Sequence, residues 1–198
     1  MTPASETTVT RLLDQLQHGH REALDQLYPL VYNELKALAQ YHRQRWHGDD
    51  TLGTTALVHE AYIKLLGQRR LAAQSRAHFF ALAATAMRHI LSNYAEARRR
   101  QKRGGDRERV SLATLDESPV RLDFADEHAE TLALLDQALG RLERTNARLS
   151  QLVECRFFGG MSIADTVVVL GVSPATVKRD WVLARAFLFR EMQRTVHS

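Results

Sequence analysis

The stretch Phe158 to Arg190, FGGMSIADTVVVLGVSPATVKRDWVLARAFLFR, decides the fold. Gly159-Gly160 stops the helix that precedes it. Ser162 is a good N-cap for a short helix from Ile163 to Leu170, because its hydroxyl accepts from a backbone N–H that the first turn leaves unpaired. Gly171 supplies the left-handed conformation that lets the chain leave that helix abruptly. Ser173 then caps a second helix, and Pro174 takes its first position, where a missing N–H costs nothing. In this helix Val177, Trp181, Ala184 and Leu188 recur at helical spacing and are expected to face a core. That leaves Ala175, Thr176, Lys178, Arg179 and Arg185 on the outer side. Two helices joined by a tight glycine turn, with a basic outer face on the second, describe a helix-turn-helix. Its second helix would enter a major groove, with Lys178 and Arg179 on phosphate or guanine and Ser173, Ala175, Thr176 and Arg185 beside them. An ordinary helical hairpin with solvated cations is the competing reading. The conjunction of cap, glycine, second cap, proline and charge favours DNA. Val167 stands where such units usually carry alanine, and the added volume bears on the helix crossing; Val168 is expected to be exposed.

Outward from this segment, helical periodicity dominates and strand-like alternation is nearly absent. From about His128, Leu132, Leu135, Leu139 and Leu142 form one stripe. Nearer the start, Leu24, Leu27, Tyr28, Val31, Leu35 and Leu38 predict a first helix, which Pro29 should kink or restart. Gly48-Asp49-Asp50 breaks the chain. Thr54 or Thr55 caps a second helix with Leu57, Ala61 and Leu65 on its buried side. A long third helix is expected from about His78 to Arg100, burying Phe79, Leu82, Ala83, Ala86, Ile90 and Tyr94, and ending at Gly104-Gly105. Residues 106–127 carry Ser118-Pro119 and no sustained period, and read as a linker, with at most a short extended stretch from Arg109 to Leu112. The expectation is an all-α protein: one small helical domain over 1–105, a flexible acidic linker over 106–127, and a helix-turn-helix domain over 128–198.

Charge follows the same division. The chain of 198 residues has a formal net charge of +4, unevenly spread. Between Arg88 and Arg109 the basic residues are Arg88, Arg98, Arg99, Arg100, Lys102, Arg103, Arg107 and Arg109, opposed by Glu96, Asp106 and Glu108. Asp116, Glu117, Asp123, Asp126, Glu127 and Glu130 follow, against Arg121 alone. The basic part suits phosphate and the acidic part does not. Hydrophobic residues are 44% of the chain, enough for cores. No apolar run approaches the roughly 20 residues of a spanning helix. The polar N-terminus does not resemble a secretory signal, and the single cysteine, Cys155, excludes an internal disulfide. Together these predict a cytoplasmic protein without membrane insertion.

Three segments carry a family resemblance: TALVHEAYIKLL (Thr55 to Leu66), HFFALAATAMRHILSNYAEARRRQKRGG (His78 to Gly105), and Leu149 to Arg190. Together they resemble the extracytoplasmic-function sigma factors of the sigma-70 family, over about Glu22 to Met192. The resemblance implies an RNA polymerase sigma factor whose partners are core RNA polymerase and promoter DNA as duplex and melted strand, with an anti-sigma factor as a further candidate. It implies no cofactor, no metal and no catalytic residue. The first segment would dock on the polymerase clamp through Leu57, Glu60 and Tyr62. The second would melt and read the −10 element through Arg88, His89, Asn93, Tyr94, Arg98, Arg99, Arg100 and Lys102, with the loop from Gln68 to His78 capturing an unstacked base. The third would read the −35 element and touch the polymerase flap. The acidic linker would thread the polymerase channel. Cations interleaved with flat or apolar side chains are what a separated strand requires. Asn93 and Glu96 depart from the family pattern, which often has aspartate and a basic residue there.

Other functions fit less well. His59-Glu60 begins like a zinc-protease helix, but Ile63 stands where the second histidine belongs. His42 and His47 lack supporting ligands, and Cys155 sits on an apolar helix beside Leu152 and Phe158, where packing is the expected role. A conventional helix-turn-helix regulator that binds duplex DNA unaided is the main alternative. A sigma-like protein acting only through protein contacts is another.

Overall fold

A computed structural model describes residues 3–45, 54–66, 73–101 and 128–196. Every regular element among them is helical: α1 (Pro3–Gln17), α2 (Ala23–Arg45), α3 (Thr54–Leu66), α4 (Arg76–Gln101), α5 (His128–Thr145), α6 (Ala147–Val153), a π-helical turn (Glu154–Phe158), α7 (Ile163–Leu170) and α8 (Pro174–Val196). The linker expected over 106–127, the glycine pairs' upstream partner Gly104-Gly105, the break at Gly48-Asp49-Asp50, and Arg109 to Leu112 lie outside the described residues.

Helices α1 to α4 bury a first core built on Leu12, Leu13, Leu27, Leu35, Leu57, Phe79 and Met87. The expected inward residues of α3 are there: Leu57, Ala61 and Leu65 are all buried, and Val58 joins them. Helix α1 is an addition to the sequence-based expectation. Its signal is present in Val9, Leu12, Leu13 and Leu16, which fall at i, i+3, i+4 and i+7 on one helical face. Helix α2 runs unbroken from Ala23 to Arg45 with Pro29 inside it, so the expected restart does not occur. Leu27 and Val31 are sealed in the core on either side of exposed Pro29. Tertiary packing on both flanks outweighs the one backbone hydrogen bond that a proline removes.

The second core gathers Leu135, Leu139 and Leu142 of α5, Leu149, Leu152 and Val153 of α6, Phe157 and Phe158 of the π turn, and Val177, Ala184 and Leu188 of α8. Asn146 caps α6 by accepting from the Leu149 N–H at 3.2 Å. The π turn widens the helix by one residue and re-aims the side chains after it. Cys155 and Phe158 are thereby buried while Glu154 reaches α4.

The two cores are in contact. Helix α4 packs on α5, on the π turn and on α7. Ala84 of α4 is fully buried within the second core, and Ala81 of α4 clusters with Cys155 and Met161.

Candidate nucleic-acid interface

The helix-turn-helix forms as its local residues dictate. Ser162 accepts from the Asp165 N–H at 3.1 Å, and the Asp165 carboxylate accepts from the Ser162 N–H in return, so a full capping box starts α7. Two orphan donors are satisfied by one pair of side chains. Gly171 takes φ 63° and ψ 32°, and its N–H donates to the Val167 carbonyl at 2.9 Å. A side chain there would be strained, because L-residues rarely adopt that region. Ser173 accepts from the Thr176 N–H at 3.1 Å and opens α8.

The two faces of α8 divide as the spacing requires. Val177, Ala184 and Leu188 are buried, and Trp181 packs partly against the same core. Ser173, Ala175, Lys178 and Arg179 are exposed, with Thr176 and Arg185 half-buried beside them. The outer face then changes character along the helix. Beyond its cationic first turns come Val182, Leu183 and Phe189, which are 63%, 53% and 47% exposed. Asp180 turns inward, 3% exposed, and accepts from Arg148 of α6 at 2.8 Å. It pins the start of α8 to α6, a role signalled only by its place three residues after buried Val177. Val167 is accommodated partly buried against the second core, and Val168 is 53% exposed as expected.

Helix α4 carries the second group of expected nucleic-acid residues. His89 and Asn93 are exposed and Tyr94 is half-buried. The His89 imidazole is held below its usual pKa, by partial desolvation first and then by the positive charges of Lys64 and Arg88. Nothing is described for the side chains of Arg98, Arg99 and Arg100, and Lys102 lies outside the described residues, as do residues 67–72 of the expected base-capturing loop. Arg88 stands apart, at 3% exposure. Its Nε donates to Asp136 Oδ1 of α5 at 2.8 Å, and its Nη1 donates to Glu154 of the π turn. The second Glu154 oxygen accepts from the Thr85 hydroxyl at 2.7 Å. Here the guanidinium is engaged inside the chain, not turned toward solvent.

On α3 the three residues expected to meet the polymerase part company. Glu60 is exposed. Leu57, at 2% exposure, lies inside the first core and holds the helix in place. Tyr62 is half-buried: its hydroxyl donates to the Leu24 carbonyl at 3.0 Å, and its ring stacks at a tilt on Tyr28 with centroids 4.5 Å apart. Burial, and then the charge of Asp25, push its phenol up to about 12. Ile63, 66% exposed one turn from Glu60, is an apolar surface residue that the sequence reading passed over. The signal was its place off the Leu57–Ala61–Leu65 stripe.

Cys155 is fully buried, and burial raises its thiol to about 12, so it is a packed side chain and not an activated one. Among the described residues no helix is long and apolar enough to cross a membrane. A family model described as ECF sigma factor matches residues 6–194, nearly the whole chain. No curated protein and no solved structure matches it.

Proposed function

The chain belongs to the ECF sigma factor family, whose role is transcription initiation, and from that premise we propose how its surfaces divide the work. The outer face of α8 reads the −35 element as duplex in the major groove. The observation that carries this reading is the pairing of a capped, left-handed turn at Gly171 with solvent-exposed Lys178 and Arg179 on the first turns that follow. Phosphate contacts from these cations set position, and any bidentate guanine contact sets sequence. The apolar continuation of the same face, Val182, Leu183 and Phe189, is the chemistry of a protein-docking surface and suits the polymerase flap. Helix α4, through Arg88, His89, Asn93, Tyr94 and the Arg98 to Lys102 run, takes the −10 element and the melted strand. Glu60, with Ile63 beside it, meets the polymerase clamp, where a carboxylate gives specificity more than affinity. In this division residues 1–105 and 128–198 act as separate modules and the acidic segment 106–127 ties them.

A second reading is favoured by one observation: α8 is open to duplex while part of α4 is covered by α5 and the π turn. A helix-turn-helix regulator working without polymerase needs only α8. Transcription from candidate promoters with purified core polymerase, with and without the full chain, separates the two. Added initiation and co-purification with core polymerase are the expected results. Tight duplex binding by the chain alone, with no added initiation, would replace the sigma reading with the regulator.

A further inference from the structure

Arg88 is among the α4 residues read above as strand-binding, yet its guanidinium is sealed between two carboxylates that come from the other core, while His89 and Asn93 stay exposed. A guanidinium fork recognises a carboxylate and a phosphate by the same planar, bidentate geometry. Asp136 and Glu154 therefore stand at Arg88 where strand phosphates would stand. Around this site α4 packs on α5, on the π turn and on α7, and Leu132 touches both cores. His42 of α2, 6% exposed, donates its Nε2 proton to the Phe158 carbonyl at 2.6 Å. Ala84 packs so near Gly159 that a Cβ there would lie 3.2 Å from the alanine methyl and 2.6 Å from the Cys155 carbonyl oxygen. Ala81, Cys155 and Met161 complete the contact. Beside them a cavity of about 300 Å³ remains between α4 and the second core, lined by His78, Thr85, Glu143, Ser150 and Glu154. The contact sets charge pairs, a buried histidine and a cavity among its apolar side chains. Buried ion pairs contribute little net stability, because desolvation offsets the attraction. Exchanging these carboxylates for phosphates would keep the guanidinium paired.

We propose that the chain withholds Arg88 from strand binding by holding it against its own second core, with Asp136 and Glu154 as phosphate mimics, and that full engagement of melted DNA requires this lock to open. The lock stands on geometry alone; its effect on DNA rests on the reading of α4 given above. Cys155 is buried against Ala81 of α4, so separating α4 from the second core should expose the single thiol, which then reports on opening. The apparent affinity of a protein whose competent state is minor is reduced by the fraction that is competent.

Two full-length variants open the lock by unrelated means. Asp136→Asn/Glu154→Gln removes the charges and leaves Arg88 in place. Ala84→Leu wedges α4 away from Gly159 and changes no charge. An Asp14→Asn/Glu22→Gln variant, at two exposed acids, controls for the change in net charge. Binding is read by anisotropy of a labelled mixed-sequence single-stranded oligonucleotide, and opening by the rate at which iodoacetamide alkylates Cys155. Both lock variants should bind the strand on the order of tenfold more tightly than the wild type, and alkylate faster by a similar factor. The control should do neither. Circular dichroism melting identifies a variant that has lost its fold, in which case the other variant decides. If a folded lock variant matches the control in affinity and the wild type in alkylation, there is no lock. If alkylation rises and strand affinity does not, the lock exists but does not guard a strand site, and the proposal fails in that half. Absence of initiation by the wild type with core polymerase, alongside the expected lock results, would instead fault the sigma reading and leave the lock standing.

Discussion

Lys178 and Arg179 on α8, and Arg88 on α4, are all cations on long helices. In the fold they differ completely. The α8 pair stands in solvent, Arg179 with 69% of its side chain exposed, while the Arg88 side chain is 4% exposed and bonded to two carboxylates. The face of α8 is set by its own spacing, since its inward stripe consumes Val177, Ala184 and Leu188 and leaves the cations outside. The surroundings of Arg88 are set by Asp136 and Glu154, which lie 48 and 66 residues away in the chain. A basic run describes a potential surface; whether it is an accessible one is decided by what packs on it.

The contrast can be broken at several points. Lys178→Ala with Arg179→Ala should weaken upstream-element binding on the order of a hundredfold, flatten its salt dependence, and leave polymerase association unchanged. Fluorescence titration across salt concentrations measures this, and an equal loss of polymerase would mean that α8 is not a dedicated DNA face. Asp180→Ala removes the inward anchor of the same helix and leaves Arg148 without its carboxylate. It should lower stability by about 2 kcal/mol in denaturant titration. No change would show that α8 is held by its apolar stripe alone. On the other core, Glu60→Arg should reduce affinity for core polymerase roughly tenfold, chiefly through a slower association rate, while duplex binding stays constant. Ser162→Ala deletes the capping box and should cost about 1 kcal/mol, read as a lower melting temperature. The smallest effect concerns pH. His89 prefers its neutral form in the fold, so as pH falls through the ordinary histidine value of about 6.5 the unfolded chain takes up the proton first. Stability should therefore decline on acidification below that value, and His89→Gln should flatten this part of the melting profile.

The helix-turn-helix was legible residue by residue because each of its signals acts over three or four positions. Ser162, Gly171, Ser173 and Pro174 do in the fold what their chemistry predicts. The stripes of α3, α5 and α8 were readable for the same reason, and α1 could have been read from Val9, Leu12, Leu13 and Leu16. At Pro29 the restart did not occur, because the rule against proline inside a helix is local, whereas Leu27 and Val31 are held by distant partners. The π turn had no warning, since one extra residue in a helical turn leaves no mark in composition. On α3 the residues chosen for a surface role were divided by burial, Leu57 going to the core and Glu60 to solvent.

Sequence by itself determined the all-helical class, the caps and turn of the helix-turn-helix, and the cationic outer face of α8, because periodicity, capping and backbone preference are short-range physics. Only the tertiary structure decided that Arg88 is enclosed, that Asp180 faces inward, and that α2 and α4 meet the π turn through His42 and Ala84. Those outcomes depend on which distant groups arrive at the same place, and desolvation there sets whether a charge is displayed or sealed.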